Sequence, residues 1–332
     1  VALEQQQQMA EQMKQPSELQ PNPDGSVDVN FGPEDLQVGP DQGHFTNLAE
    51  LLPDDILDPL GSELYNNYTD YKTSRKDWER SYTSGLDLLG FNYDDRTEPF
   101  KGASGATHPV LAEAVTQFQS LAYKELLPAG GPVRTQVVGL VDEAKEAQAE
   151  RVKEYMNYEL MVNMKEYEPE FDQMLFNLPL AGSTFKKVYY DETKGRCVSK
   201  FVPAEDLVVP YNATSLEDAD AIIHMLKMSA NDLRKLQVSE FYRDIDLGQP
   251  SYTEGDIQDK KNDLEGVSVT NRDEIFTLLE CHVDLDIEGF EDVDKDGDPT
   301  GIKLPYIVTI EEGSGEVLAI KRNFDMQDPI KK

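Results

Sequence analysis

The sequence has little cysteine, little positive charge and no long apolar run. Its 332 residues include two cysteines, too few for a disulfide framework and typical of a protein in a reducing cytoplasm. No stretch approaches the roughly 18 apolar residues that a membrane-spanning helix needs, so a membrane partner is not expected. Lys and Arg total 31 against 64 Asp and Glu, a formal net charge of −33. Because binding to nucleic-acid phosphates requires basic side chains, a tight grip on DNA or RNA is not expected.

Motifs for catalysis and for cofactor binding are missing too. The sequence has no G-x-x-x-x-G-K-[ST], no G-x-G-x-x-G and no G-x-S-x-G. Cys281 and His282 are neighbours on an expected strand, so their side chains point to opposite faces and cannot form a nucleophile–base pair. Cys197 is interpreted as a small buried strand residue. The sequence therefore predicts a protein that is not an enzyme and that uses no cofactor.

The acidic residues are concentrated in two segments. Residues 1–60 hold twelve acidic side chains and one basic one, and residues 239–300 hold nineteen against five. Residues 1–45 are rich in Gln, Pro, Gly and Asp and lack periodicity, which predicts a disordered or loosely draped acidic arm. Within the second segment, residues 243–272 are polar and aperiodic and predict a long loop. Both segments are interpreted as solvated, peripheral surface.

After the arm, the hydrophobic period divides the chain into a helical region, 46–182, and an antiparallel β-rich region, 183–332. One helical stripe runs from Ile56 to Leu86 and a second follows Pro109. The longest helix is predicted over residues 142–177, with an apolar stripe broad enough to be covered on more than one side and a bend or split at Pro169. A short strand is expected over 134–138. After Gly182 the period becomes 2, typical of hairpins and an antiparallel sheet, and the fold class is α+β.

One loop has the spacing of a calcium site. Asp292, Asp294 and Asp296 occupy positions 1, 3 and 5 of a calcium loop, Gly297 occupies the turn position, and Asp298 follows. Position 12 is Lys303 where a calcium loop has Glu, and the flanking segments are predicted strands. The pattern therefore indicates either an acidic hairpin tip or, at most, a weak divalent-cation site formed by these four aspartates.

Several segments, taken in their order, resemble a known family. The longest is Pro99-Phe-Lys-Gly-Ala-Ser-Gly-Ala-Thr-His-Pro109. The others, in chain order, are Ser74–Trp78, Gly85–Gly90, Lys124–Pro128, Gly182–Tyr190, Val202–Tyr211 and Leu304–Val308. Over about residues 50–330 the chain resembles the portal proteins of tailed bacteriophages, of the larger type found in short-tailed phages, and specifically their N-terminal wing portion.

The resemblance implies a structural virion protein. Portal subunits form a ring of about twelve copies at one capsid vertex. Double-stranded DNA is packaged and ejected through the ring without tight binding, and the capsid protein, the terminase and the tail or adaptor proteins attach to it. The implied location is the virion, after assembly in the cytoplasm of the bacterial host. The channel-forming helices are expected beyond the portion that the resemblance covers, and Met156, Leu160, Met164 and Phe171 are expected to be packing residues.

A second hypothesis is an acidic, non-enzymatic virion adaptor or scaffold-type protein that binds a partner through its arm. Assembly state separates the two hypotheses, since a portal subunit closes into a ring and an adaptor stays monomeric or weakly associated.

Overall fold

The structure is a computed structural model, and it describes residues 20–21, 27–28, 46–89, 100–105, 108–191, 194–250, 255–266, 275–293 and 298–323. The arm expected over 1–45 lies outside these ranges, apart from two antiparallel two-residue strands, β1 (Gln20–Pro21) and β2 (Val27–Asp28). The described helices are α1 (Asp54–Ser74), α2 (Lys76–Leu89), α3 (Val110–Leu126), α4 (Glu143–Tyr158), α5 (Tyr167–Ala181), α6 (Ala230–Val238) and α7 (Asp256–Glu265). The remaining strands are β3 (Phe185–Asp191), β4 (Arg196–Val202), β5 (Leu207–Val208), β6 (Ala221–Ser229), β7 (Ile275–Leu285), β8 (Leu304–Glu311) and β9 (Val317–Arg322).

The α+β class expected from the sequence is confirmed. Strands β5 to β9 form one five-stranded antiparallel sheet in chain order, and β3 pairs with β4 in a separate hairpin. The central strand β7 alternates its side chains between the two sheet faces. Leu279, Cys281 and Val283 belong to the core cluster that includes α1, whereas Phe276 and Leu278 pack in the cluster that includes α6. The sheet is thus covered by helices on both faces, which is why its central strands are almost continuously apolar.

The apolar stripe from Ile56 to Leu86 forms two helices instead of one. The chain leaves helical geometry at Arg75, whose guanidinium donates hydrogen bonds to the carbonyl oxygens of Ala204, Glu205 and Leu207. These carbonyls lie about 130 residues further along the chain, so no local sequence pattern predicts the break between α1 and α2. Beyond it, α2 packs in a third cluster in which Tyr82 and Leu86 meet Ala181 and Ile257.

The prediction of a single long helix over residues 142–177 is wrong, because the structure has two helices there. The chain forms α4, a π-helical turn over Glu159–Asn163, and then α5. Pro169 falls in the first turn of α5, where a proline costs no hydrogen bond, and the split precedes it. The broad stripe is not covered on several sides either, since only Met164 and Leu175 of its predicted members are buried.

Two further expectations need correction. The expected strand over 134–138 is irregular in the structure because its polar groups bond to α4 and not to a neighbouring strand.

The polar segment 243–272, expected to be a loop, contains the ten-residue helix α7. That helix is held by the buried side chain of Ile257 and by salt bridges from Lys260 to Asp87 and from Lys261 to Glu205. A single apolar residue gives no periodicity, which explains why the sequence pattern did not show this helix.

Candidate assembly surface

Helix α4 carries several apolar side chains, and it is the most exposed of the described helices. Its N-terminus is capped by Asp142, whose carboxylate accepts a hydrogen bond from the backbone N–H of Lys145 at 2.8 Å. Alanine, lysine and glutamate dominate its first half and favour a helix without help from packing. No residue of α4 is buried. A helix of 16 residues is only marginally stable in water, so contacts on its apolar side matter for its stability.

The chain before α4 runs back along it as a strap, residues 133–141. The side chain of Asn157 accepts a hydrogen bond from the backbone N–H of Val133 at 2.9 Å and donates one to its carbonyl oxygen at 3.2 Å. Thr135 Oγ1 donates to the carbonyl of Ala149 at 3.1 Å, and Lys145 Nζ donates to that of Leu140 at 3.0 Å. The strap is therefore fixed to the helix at both ends. Val133 and Val137 of the strap are half-buried, whereas Val138, Leu140 and Val141 are exposed.

We define the α4 surface as the exposed apolar side chains of this strap, of α4 and of the π-helical turn. Each exposes at least two-fifths of its area, and they are Val138, Leu140, Val141, Val152, Tyr155, Met156, Tyr158 and Val162. Val138 is 92 % exposed and Leu140 is 87 % exposed, values more usual for polar loop residues. With about 150–250 Å² for each fully exposed tyrosine and about 60–120 Å² for each aliphatic side chain, the eight exposed side chains present roughly 600 Å² of apolar surface.

That area is at the upper end of the range for the largest apolar patch on a typical monomer, about 300–600 Å². One partner in a standard protein–protein interface buries about 800 Å². The charges near the patch have both signs, with Lys145, Arg151 and Lys153 beside glutamates on the same helix. Tyrosine and methionine are enriched in interface cores. The α4 surface therefore has the composition of one side of a protein–protein interface and most of its area.

The base of the α4 surface is anchored to the body through α5 and the β3–β4 hairpin. Arg196 forms a bidentate salt bridge with Glu166, with N–O distances of 2.6 and 2.8 Å. This pair holds the pKa of the Glu166 carboxyl below its usual range, because the carboxylate accepts both hydrogen bonds. Glu170 accepts a hydrogen bond from the backbone N–H of Phe201 at 2.7 Å. These contacts fix the position from which α4 projects.

Lys186 adds a third contact at this base. Its ammonium lies 3.9 Å from the ring centre of Tyr167 and 4.8 Å from that of Phe171. Desolvation lowers the pKa of Lys186, with partial compensation from the nearby charge of Glu170. Phe171 therefore acts as a packing residue against the hairpin. Met164 is also buried, as expected of a packing residue, whereas Met156 lies on the exposed α4 surface.

The aspartates of the calcium-like loop are described only in part. Asp294 and Asp296 lie outside the described residues. The Asp292 carboxylate accepts a hydrogen bond from Thr300 Oγ1 at 2.6 Å, and the Asp292 carbonyl accepts one from the Thr300 N–H at 2.8 Å. Val293 and Pro299 form an antiparallel bridge. Within the described part of the chain, Asp292 and Asp298 belong to no group of three or more metal-ligating side chains.

The two cysteines differ in environment. Cys281 is fully buried in the sheet core, and burial raises the pKa of its thiol to about 12, so it is chemically inert. Cys197 is exposed, and the expectation of a buried residue is wrong for it. It pairs across the hairpin with Tyr190, which is also exposed, and it lies close enough to Tyr155 of α4 for the two groups to interact electrostatically.

A polar cluster between the hairpin and the sheet was not expected from the sequence. Glu280 of β7 bonds to His282 at 3.0 Å and forms a salt bridge with Lys187 of β3, and His224 of β6 lies 4.0 Å away. Burial alone would raise the pKa of Glu280, but the hydrogen bonds from His282 and Lys187 outweigh it and hold this pKa at about 2. His224 meets Glu280 through the pairing of β6 with β7, and Lys187 comes from the separate β3–β4 hairpin, so no local motif could have indicated the cluster.

Comparisons with known proteins add no identification. No family model matches the chain, and no curated protein matches it. In the described part of the chain, none of the helices has the length and the apolar character needed to cross a membrane.

Proposed function

We propose that this chain is a structural, non-enzymatic subunit of a homo-oligomeric ring, of the kind that tailed bacteriophages place at the portal vertex of the capsid. In this role the ring conducts double-stranded DNA during packaging and ejection, and it offers attachment surfaces to the terminase and to tail proteins. The observation that carries the proposal is the α4 surface. About 600 Å² of exposed apolar side chains on the strap, α4 and the π-helical turn is typical of a contact with a partner.

A second copy of the chain is the partner that the proposal requires. A ring forms when one surface of a subunit packs on a different surface of the next subunit and the rotation closes. The structure offers a second apolar surface on α3, where Val110, Phe118 and Leu121 are exposed. Their spacing places them on one side of the helix, while Val115 on the other side is buried. The α4 surface of one subunit and the α3 side of its neighbour are thus the two halves of the proposed contact.

The charge of the chain is compatible with a DNA conduit. A net charge of −33 repels phosphates at short range, so DNA can move past the subunit without being held. The order of sequence segments described above supports the portal class among ring-forming proteins. The proposal assigns no part of the ring contact to the acidic arm or to the acidic segment 243–272.

The first test is the native mass of the full-length protein, measured by light scattering and checked by electron microscopy. We expect a closed particle of about twelve subunits with a central hole. A monomer at all protein and salt concentrations would contradict the proposal and favour the acidic adaptor.

A pair of variants tests the contact itself. The double variant Val152→Ser, Tyr155→Ser changes the α4 surface at two exposed positions, so the assembled fraction should fall at least tenfold, and circular dichroism checks that the subunit is still folded. Tyr211→Ser serves as the control, since Tyr211 is even more exposed but lies in the turn after β5. Equal assembly of both variants would exclude α4 from the interface.

A further inference from the structure

A cleft of about 490 Å³ lies at one end of the α1-facing side of the sheet. Its floor is the cross-strand pair Lys227–Thr277 together with Met225. One wall is formed by Tyr65 and Tyr68 of α1, and the opposite rim is the N-terminus of α7. The volume is within the range of pockets that bind small ligands, about 300–1,000 Å³. The cleft is separate from the α4 surface and plays no part in the proposed ring contact.

The basic side chains of the cleft are already engaged within the protein. Arg75 donates to three backbone carbonyls and forms a 2.8 Å salt bridge with Glu79. Lys72 Nζ donates to the Tyr68 hydroxyl at 2.9 Å, and this hydroxyl donates to Glu312 Oε1 at 3.1 Å. Lys227 supplies a positive charge next to Asp206. None of these cations is held ready for an anionic ligand.

Two buried polar atoms in the same cleft have no partner within the described part of the chain. The first is the hydroxyl oxygen of Thr277, in a residue that is only 7 % exposed. The second is Oε2 of Glu205, whose other oxygen accepts from Lys261. Leaving a buried polar atom unpaired is unfavourable. The Glu205 carboxylate oxygen requires a hydrogen-bond donor, and the Thr277 hydroxyl can accept from the same donor.

The charge of the lining residues specifies the kind of donor. Five acidic and three basic side chains line the cleft, a formal excess of two negative charges. Desolvation raises the pKa of Asp206 despite the opposing charges of Lys227, Lys261 and Arg75, so these cations do not fully offset the burial of its carboxylate. The Lys72 ammonium already lies 5.2 Å from the ring centre of Tyr68, so Tyr65 supplies the aromatic surface for an organic cation at this wall.

We propose that this cleft binds an organic cation with several N–H donors, an ammonium or guanidinium group, between the tyrosine wall and the Glu205, Thr277 and Glu312 oxygens. Two sources can supply this chemistry: a free polyamine and a basic side chain of another protein. The acid excess and the unpaired acceptors favour such a cation over a phosphate.

Isothermal titration calorimetry on the full chain in 0.15 M NaCl tests the proposal. The probes are spermidine, the blocked tripeptide Gly-Arg-Gly and, as a neutral match in shape, the same peptide with citrulline in place of arginine. We expect saturable binding at one site per chain for spermidine or for the arginine peptide, and at least tenfold weaker binding of the citrulline peptide. Tighter binding of spermidine indicates a free polyamine as the natural ligand, and tighter binding of the peptide indicates a protein side chain. No saturable binding of either cation would overturn the proposal.

Thr277→Val is the decisive variant. It keeps the shape of the side chain and removes a hydroxyl that is unpaired without ligand, so the thermal midpoint of the free protein should stay equal or rise. The affinity for the bound probe should fall about fivefold to tenfold, since one hydrogen bond to a charged donor is lost. Asp77→Asn removes an exposed acid outside the cleft and controls for general attraction to the acidic chain. Unchanged affinity in Thr277→Val, or an equal loss in both variants, would show that cations bind the surface at large and not this cleft.

Discussion

The side chain of Asn47 pairs with backbone groups at the β9 edge of the large sheet. Asn47 precedes a 3₁₀ turn over Leu48–Glu50, and its side chain lies against the outer strand β9. Its Oδ1 accepts from the backbone N–H of Ile320 at 3.0 Å and its Nδ2 donates to the carbonyl of Leu318 at 3.0 Å. Asn47 is buried, and it therefore pairs with the strand as a further strand would.

Asn47→Ala should cost about 2–4 kcal/mol of unfolding free energy, because it leaves the Ile320 N–H and the Leu318 carbonyl unpaired in the core. Urea unfolding followed by circular dichroism measures this loss. Asn212→Ala, at an exposed position, should change the same free energy by less than about 0.5 kcal/mol. A loss at Asn47 no larger than the one at Asn212 would contradict this account of the sheet edge.

His224 should make stability depend on pH. Burial and the charge of Lys187 lower its pKa from 6.5 to about 4, with partial compensation from Glu280. The unfolded chain therefore binds the proton more tightly, and the stability contributed by neutral His224 is lost as pH falls from about 6.5 toward 4. Between pH 7 and pH 4.5 we expect a loss of about 2 kcal/mol in unfolding free energy.

His224→Gln should flatten this pH dependence, whereas His108→Gln, at an exposed position, should leave it unchanged. Chemical unfolding at several pH values above 4.5 separates the effect of His224 from that of Glu280, whose contribution is lost only at lower pH. An equal slope in wild type and His224→Gln would disprove the assignment.

Among the helices, two glycines show how packing decides the effect of one substitution. A Cβ atom at Gly61 of α1 would lie 2.3 Å from the carbonyl oxygen of Gly315 in the β8–β9 turn. At Gly85 of α2, a Cβ atom would have nothing within 4 Å. Alanine favours a helix over glycine equally at both positions, so the difference comes from the tertiary contact alone.

Gly61→Ala should destabilise the protein by about 2 kcal/mol, since α1 must move away from the sheet. Gly85→Ala should stabilise it by up to about 1 kcal/mol, because it reduces the freedom of the unfolded chain and fits without strain. Thermal unfolding of the two variants side by side provides the comparison, and each serves as the control for the other. The same sign in both would show that the α1–turn contact is looser than described.

For the molecule as a whole, charge opposes the assembly that the α4 surface favours. Subunits that each carry −33 repel one another, and salt weakens this repulsion, whereas apolar contact is insensitive to salt at moderate concentration. The assembled fraction should therefore rise when NaCl increases from 0.05 to 0.5 M, as the Debye length falls from about 14 Å to about 4 Å. Sedimentation velocity measures this fraction. A decrease with salt would indicate an interface held by ion pairs instead of the apolar contact proposed here.

The sequence by itself determined those elements whose signal is local. The change of hydrophobic period near Gly182 predicted the α+β order, and the alternation over 185–202 predicted the β3–β4 hairpin, since both depend on side chains a few residues apart. The period of the apolar residues over 152–162 also predicted helical backbone there, and the structure has α4 and the π-helical turn. The pattern could not tell whether the stripe is buried within the chain or exposed, because that depends on what lies opposite.

Only the tertiary structure decided the remaining features, and each depends on residues distant in the chain. Arg75 ends α1 because carbonyls from residues 204–207 reach it, and helix α7 exists through contacts with α2 and the segment before β5. The cleft is assembled from α1, α2, α7, strands β6 and β7 and the turns next to β5 and β8, so neither Thr277 nor Glu205 has a recognisable motif around it. Periodicity reports on neighbours along the chain, whereas burial, charge compensation and unpaired atoms are properties of neighbours in space.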